Sequence, residues 1–170
     1  RPPEEFIRNK DVLDLGCSIG RWLWEFQATA RSVTGIELRP EYIELGRALA
    51  QRENIPPPQI LTGSIERVDE HVPPQSMDFV FCRLAINHVA IRKVLDNVVE
   101  VLRPGGVVWL EAESFKCGWQ KLRQARGVRG IAYTAFGIAN SLVCTATGRQ
   151  ITVSCRGRHQ TAHKVAYPSR

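Results

Sequence analysis

The chain has 170 residues, 44% of them hydrophobic and 24% charged, which excludes a disordered or fibrous segment and fits one globular domain with a single core. No apolar run reaches the roughly 18 to 20 residues that span a bilayer, and Arg1-Pro2-Pro3-Glu4-Glu5 lacks the charged-then-apolar order of a secretory signal; the expectation is no membrane span and a cytoplasmic location. The net charge of +6 is unevenly spread: residues 1 to 115 hold all 17 acidic residues and 13 basic ones, whereas 116 to 170 hold 10 basic residues and no acid.

In chain order, short apolar runs alternate with helical patterns, as repeated β-α units of a parallel sheet do. The strand-like runs are Val12-Leu13-Asp14-Leu15, Val33-Thr34-Gly35-Ile36, Gln59-Ile60-Leu61, Met77 to Cys82 and Val107-Val108-Trp109-Leu110. Between them, Pro40 opens a helix with Tyr42, Leu45 and Leu49 on one face, and Val94, Leu95, Val98, Val101 and Leu102 mark another that Pro104-Gly105-Gly106 ends. After Glu113 the pattern loosens: residues 128 to 146 read as one helix or two short pieces, and Ile151 to Cys155 alternates like a strand. The chain opens on Arg1 rather than Met, as a piece of a longer protein would.

The strongest local signal is Val12-Leu13-Asp14-Leu15-Gly16-Cys17-Ser18-Ile19-Gly20-Arg21-Trp22. A strand that runs through a glycine turn into a helix brings backbone N–H groups close to a ligand, because glycine permits tight turns and close approach. Glu37, at the end of the second strand, follows Gly16 by about the 20 residues at which a carboxylate meets ribose hydroxyls in doubly wound nucleotide folds. A dinucleotide oxidoreductase shares such a sheet and acid, but its first turn needs G-x-G-x-x-G, and this chain has Gly16-x-x-x-Gly20.

With these motifs the sequence resembles the class I S-adenosylmethionine (SAM) dependent methyltransferases over residues 10 to 113. Val12 to Cys17 with Gly20 looks like the family's first motif, Glu37 like its ribose-binding acid, and Gly63-Ser64-Ile65-Glu66 like its adenine-contacting loop. Asp78 to Arg83 with His88 is similar to the fourth-strand motif, and Leu102-Arg103-Pro104-Gly105-Gly106 to the turn before the fifth strand. The chain departs from the family pattern at Ser18, where many relatives have glycine, and at Ser64, where many have aspartate.

The resemblance implies a Rossmann-like, doubly wound and mostly parallel α/β sheet in the order 3-2-1-4-5, with one or two further strands that Ile151–Cys155 and Lys164–Tyr167 could supply. It implies a SAM-binding core over 1–113 and, over 114–170, a variable basic region of the same domain on the acceptor side. The cofactor is then SAM, with S-adenosylhomocysteine as product, and the cofactor-binding residues are Asp14, Gly16, Cys17, Gly20, Glu37, Leu38, Ser64, Ile65 and Arg83. Asp14 would help hold the methionine end, and Arg83 would contribute backbone rather than side chain. His88 is the candidate catalytic base for a hydroxyl acceptor, weighed against a histidine that packs beneath the cofactor.

The favoured acceptor is a small molecule that arginine forks could grip if it is anionic. The alternative is an RNA-binding methyltransferase or SAM-binding module, for which Trp119, Lys121, Arg123, Arg126 and Arg129 mix an aromatic with cations. Cys155, His159 and His163, with Cys117 or Cys144, have a spacing that a metal could use; the five cysteines form no C-x-x-C pair, so no metal is expected and the thiols read as reduced.

Overall fold

The computed structural model describes residues 1–113, 115–147, 153–154 and 161–162. The chain divides into two compact units, Arg1–Arg83 with Ile91–Leu110, and Leu84–Ala90 with Glu111–Arg170. In the first lie strands β1 (Asp11–Leu15), β2 (Ser32–Glu37), β3 (Gln59–Thr62) and β4 (Met77–Arg83), and helices α1 (Arg21–Phe26), α2 (Pro40–Arg52) and α3 (Ile91–Val101). Strand β5 (Leu102–Glu111) completes a five-stranded sheet in the order β3-β2-β1-β4-β5, as the sequence leads one to expect.

The ladders β1–β2, β1–β4 and β2–β3 are parallel, and their register places Asp14 between Gly35 and Phe81. Val12 to Leu15 are all buried, because the central strand of a sheet covered on both faces has no solvent side. Against it pack Phe26, Phe79 and Phe81, all fully buried, with Trp22 5.3 Å and Phe26 5.3 Å from the Phe81 ring centre. Edge-to-face contacts of this kind add to area burial.

An ion-pair network ties the amino ends of the strands. Arg31 donates from Nε and Nη2 to both carboxylate oxygens of Asp11 at 3.0 and 2.6 Å, and Nη2 also reaches Asp78 at 2.8 Å. Arg103 bridges the same two acids at 2.8 and 3.0 Å. Arg31, assisted by Ser32 and Arg103, holds the Asp11 carboxyl well below the usual range; for Asp78 burial pushes upward, but the Asp11 N–H and the two arginines outweigh it. Depressed carboxyls contribute stability that is present above the ordinary carboxylate pKa and lost as the pH falls below about 4. Acid titration followed by circular dichroism should therefore show Asp11→Asn unfolding at higher pH than the parent, with a loss of about 2 kcal/mol at neutral pH.

Two elements differ from the sequence reading. Helix α2 buries Ile43, Gly46 and Ala50 rather than Tyr42, Leu45 and Leu49, and Leu45 is 50% exposed. The face is set by close backbone approach: a Cβ added to Gly46 would stand 2.3 Å from the Ile19 carbonyl oxygen. The α3 helix ends at Val101, and Leu102 to Gly106 open β5 instead of forming a separate turn. Pro104 is tolerated there because β5 is an edge strand in the sheet order.

The second unit holds a short turn at Ala85–His88, helices α4 (Phe115–Gln124) and α5 (Gly127–Thr147), and a two-stranded antiparallel ribbon, β6 (Val153–Ser154) with β7 (Thr161–Ala162). Residues 128 to 146 thus lie in one helix. Gly118 of α4 sits against α5, where an added Cβ would meet Ile138 Cγ1 at 3.2 Å. The β6–β7 ribbon is a sheet of its own and does not extend the five strands. Lys164–Tyr167 lies outside the described residues.

Candidate nucleotide site

The site is assembled at the carboxyl ends of β1, β2 and β3, where the strand order reverses on either side of β1. Gly16, Ser18 and Gly20 take φ values of 73°, 54° and 83°, all in the left-handed region. For Ser18, unlike the glycines, that conformation costs about 1 kcal/mol. Its N–H donates to Glu37 Oε2 at 2.9 Å, a charge-assisted bond that offsets the strain. The turn is tied to β2 a second time, since Gly16 and Cys17 N–H both donate to the Ile36 carbonyl at 2.8 and 3.1 Å.

Glu37 is 8% exposed, and its other oxygen accepts the Arg39 N–H at 2.9 Å. A carboxylate has about four lone-pair positions, so two remain for hydroxyl donors. The neighbouring Leu38 is 62% exposed, an apolar surface beside a hydrogen-bonding acid. From β3, Gly63 N–H donates to the Glu37 carbonyl at 3.0 Å and fixes the following loop. In that loop Ser64 Oγ accepts the Glu66 N–H at 3.2 Å, Ile65 is buried, and Asn97 of α3 donates to the Glu66 carbonyl at 3.0 Å.

Asp14 is 2% exposed, and its Oδ2 has no hydrogen-bond partner among the described residues. Burial, and then the charge of Glu37, push its carboxyl up to about 8. A buried carboxyl without a donor is costly, so such an oxygen at a ligand site fits a missing donor. Cys17 is also buried, and burial, Asp14 and Glu37 all drive its thiol upward, so it stays a neutral SH. It fills the space that Gly35 leaves, where an added Cβ would lie 2.6 Å from Sγ.

Thus Asp14, Gly16, Cys17, Gly20, Glu37, Leu38, Ser64, Ile65 and Arg83 all belong to the first unit. Arg83, at the end of β4, is exposed and places its guanidinium 5.7 Å from the Trp22 ring centre, a side-chain disposition that the sequence did not announce. His88 is the last residue of the Ala85–His88 turn, is exposed, and belongs to the second unit. Sequence reading missed Gly35 and Gly46, which let β2 and α2 close on the turn; an isolated glycine inside a strand or helix is the signal that marks such approach. Cys155, His159 and His163 lie outside the described residues, and among the described ones no three His, Cys, Asp or Glu side chains group as a metal site requires.

A glycine turn at the switch point of a doubly wound sheet, with a buried acid ending the second strand, defines a nucleotide-binding fold. Residues 12–106 match the methyltransferase domain family. The chain is 31% identical over 100 residues to the S-adenosyl-L-methionine-dependent Diels-Alderase of Talaromyces variabilis, covering 56% of this chain and 33% of that protein. It is 30% identical over 106 residues to the ubiquinone biosynthesis O-methyltransferase of Photorhabdus laumondii, covering 61% and 42%. Among solved structures, the YcgJ protein of Bacillus subtilis superposes with a TM-score of 0.59 at 24% identity, over 68% of this chain and 53% of that one. The chain belongs to the class I SAM-dependent methyltransferase family, whose cofactor is SAM. It spans between a third and a half of the length of these two curated relatives.

The arrangement fits that cofactor. The orphaned Asp14 Oδ2 suits a cationic group, the spare lone pairs of Glu37 suit a ribose, and exposed Leu38 suits a purine face.

Proposed function

We propose that this chain carries the cofactor-binding part of a SAM-dependent methyltransferase that acts on a small-molecule acceptor. The observation that carries the reading is Glu37, buried at the end of β2, whose two carboxylate oxygens each accept one backbone N–H, from Ser18 and from Arg39, with acceptor capacity left over. SAM supplies a sulfonium-activated methyl group, which an acceptor nucleophile displaces in line. The protein's part is to align the partners and exclude water, which can contribute roughly 7 to 11 kcal/mol.

In this reading Glu37 accepts the two ribose hydroxyls, and Leu38 with Ile65 flanks the base. Ser64 offers its hydroxyl to the adenine edge while its oxygen caps the following turn. Gly16, Cys17 and Gly20 shape the backbone beside the methionine end, and Asp14 faces its ammonium. Arg83, at the end of β4, contributes its backbone beside the methionine amino group. The small-molecule assignment draws support from the ubiquinone biosynthesis O-methyltransferase.

Calorimetry should find binding of S-adenosylhomocysteine and none of NAD, and incubation of the whole protein with SAM and an accepted substrate should yield S-adenosylhomocysteine. Binding of NAD in place of S-adenosylhomocysteine would overturn the reading.

A further inference from the structure

Ser18 is a side chain where the backbone asks for none. Its φ of 54° lies in the left-handed region, as do those of Gly16 and Gly20 on either side, which have no Cβ to oppose it. The tie to Glu37 does not account for a serine: the bond is made by the main-chain N–H, and a glycine would make it with about 1 kcal/mol less strain. Packing does not account for it either, since Ser18 is only half-buried. Among the described residues its hydrogen bonds run through main-chain atoms, the N–H to Glu37 and the carbonyl that accepts the Cys17 thiol. The hydroxyl is what the strained position adds to the turn.

Its place is narrowly set. The turn is fixed to β2 by the Gly16 and Cys17 N–H groups, both donating to the Ile36 carbonyl, and Ser18 N–H donates to Glu37 Oε2 at 2.9 Å. Covalent geometry keeps a serine hydroxyl within about 4 Å of its own nitrogen, so this one lies within about 7 Å of that carboxylate oxygen. A pentose whose hydroxyls sit on Glu37 spans such a gap. The serine hydroxyl has one hydrogen to donate and two lone pairs to accept with, so it can serve a sugar hydroxyl or ring oxygen.

We propose that the Ser18 hydroxyl is a further ligand contact of this site, made to the ribose that Glu37 holds. This rests on the proposed SAM site and deepens it, adding a side-chain contact to a turn otherwise built from backbone.

The test is calorimetry of the full chain with S-adenosylhomocysteine and with 5′-methylthioadenosine, which keeps the ribose and lacks the methionine end. Ser18→Ala removes the hydroxyl and keeps the Cβ; Ser18→Gly also relieves the strain, and its melting temperature should hold or rise. Both variants should bind each ligand about threefold to tenfold more weakly than the parent, the loss of one hydrogen bond. Variants that bind as tightly as the parent overturn the proposal, and leave the SAM site standing. A loss in Ser18→Gly alone, or one that comes with a lowered melting temperature in both variants, assigns Ser18 to the shape of the turn and overturns it. A loss seen with S-adenosylhomocysteine and not with 5′-methylthioadenosine overturns the ribose contact in favour of the methionine end. A parent that binds neither ligand overturns the SAM site itself, and this contact with it.

Discussion

Glu37→Gln is expected to weaken S-adenosylhomocysteine binding by about a hundredfold to a thousandfold, read by calorimetry. In the proposed site Glu37 would accept two ribose hydroxyls; charge-assisted bonds of that kind are each worth roughly 1.5 to 3 kcal/mol, and a neutral amide makes weaker ones. It would also turn an NH2 group toward either Ser18 or Arg39 N–H, donor against donor, where the carboxylate now accepts both at 2.9 Å. The loss is therefore one of ligand contact and of turn geometry together. A variant that bound as tightly as the parent would remove Glu37 from the site.

Asp14 leads to a prediction in pH. Its carboxyl is raised from 3.8 to about 8, so the free folded protein holds a proton there at neutral pH that the unfolded chain has released. Stability from this group is present below the unfolded pKa and declines as the pH rises toward the folded one, and Asp14→Asn should flatten that decline. Binding runs the other way. A cationic methionine end beside Oδ2 favours the carboxylate, so SAM binding should release a proton, and affinity should rise with pH up to about 8, by at most about tenfold per pH unit. Calorimetry in buffers of different ionisation enthalpy measures the proton directly. In Asp14→Asn the pH slope should vanish; a slope that persists would place the titrating group elsewhere.

The first 110 residues were legible because their signals are local. Apolar strands, the Gly16 turn and the spacing to Glu37 each follow from side-chain type and position, and the sheet order follows from the resemblance those motifs support. What failed was side-chain bulk used as a guide to burial. On α2 the larger Leu45 pointed to one face, yet Gly46 faces inward because having no side chain brings the helix onto Ile19. The α4 helix was missed because five of its ten residues are Lys, Arg or Gln, and because the contact that seats it, Gly118 against Ile138, is not local in sequence. The β6–β7 ribbon was readable as strand in part, but two residues per strand carry no sign of which sheet they join.

The double anchorage of Glu37 also bears on how a ligand arrives. One side chain joins the turn after β1 to the turn after β2, and the Gly63 N–H joins the turn after β3 to the same residue's carbonyl. The three loops are thus linked to one another through Glu37. Loops cross-linked through one residue have less ordering entropy to lose when a ligand binds, so a substitution at Glu37 is expected to disturb all three at once.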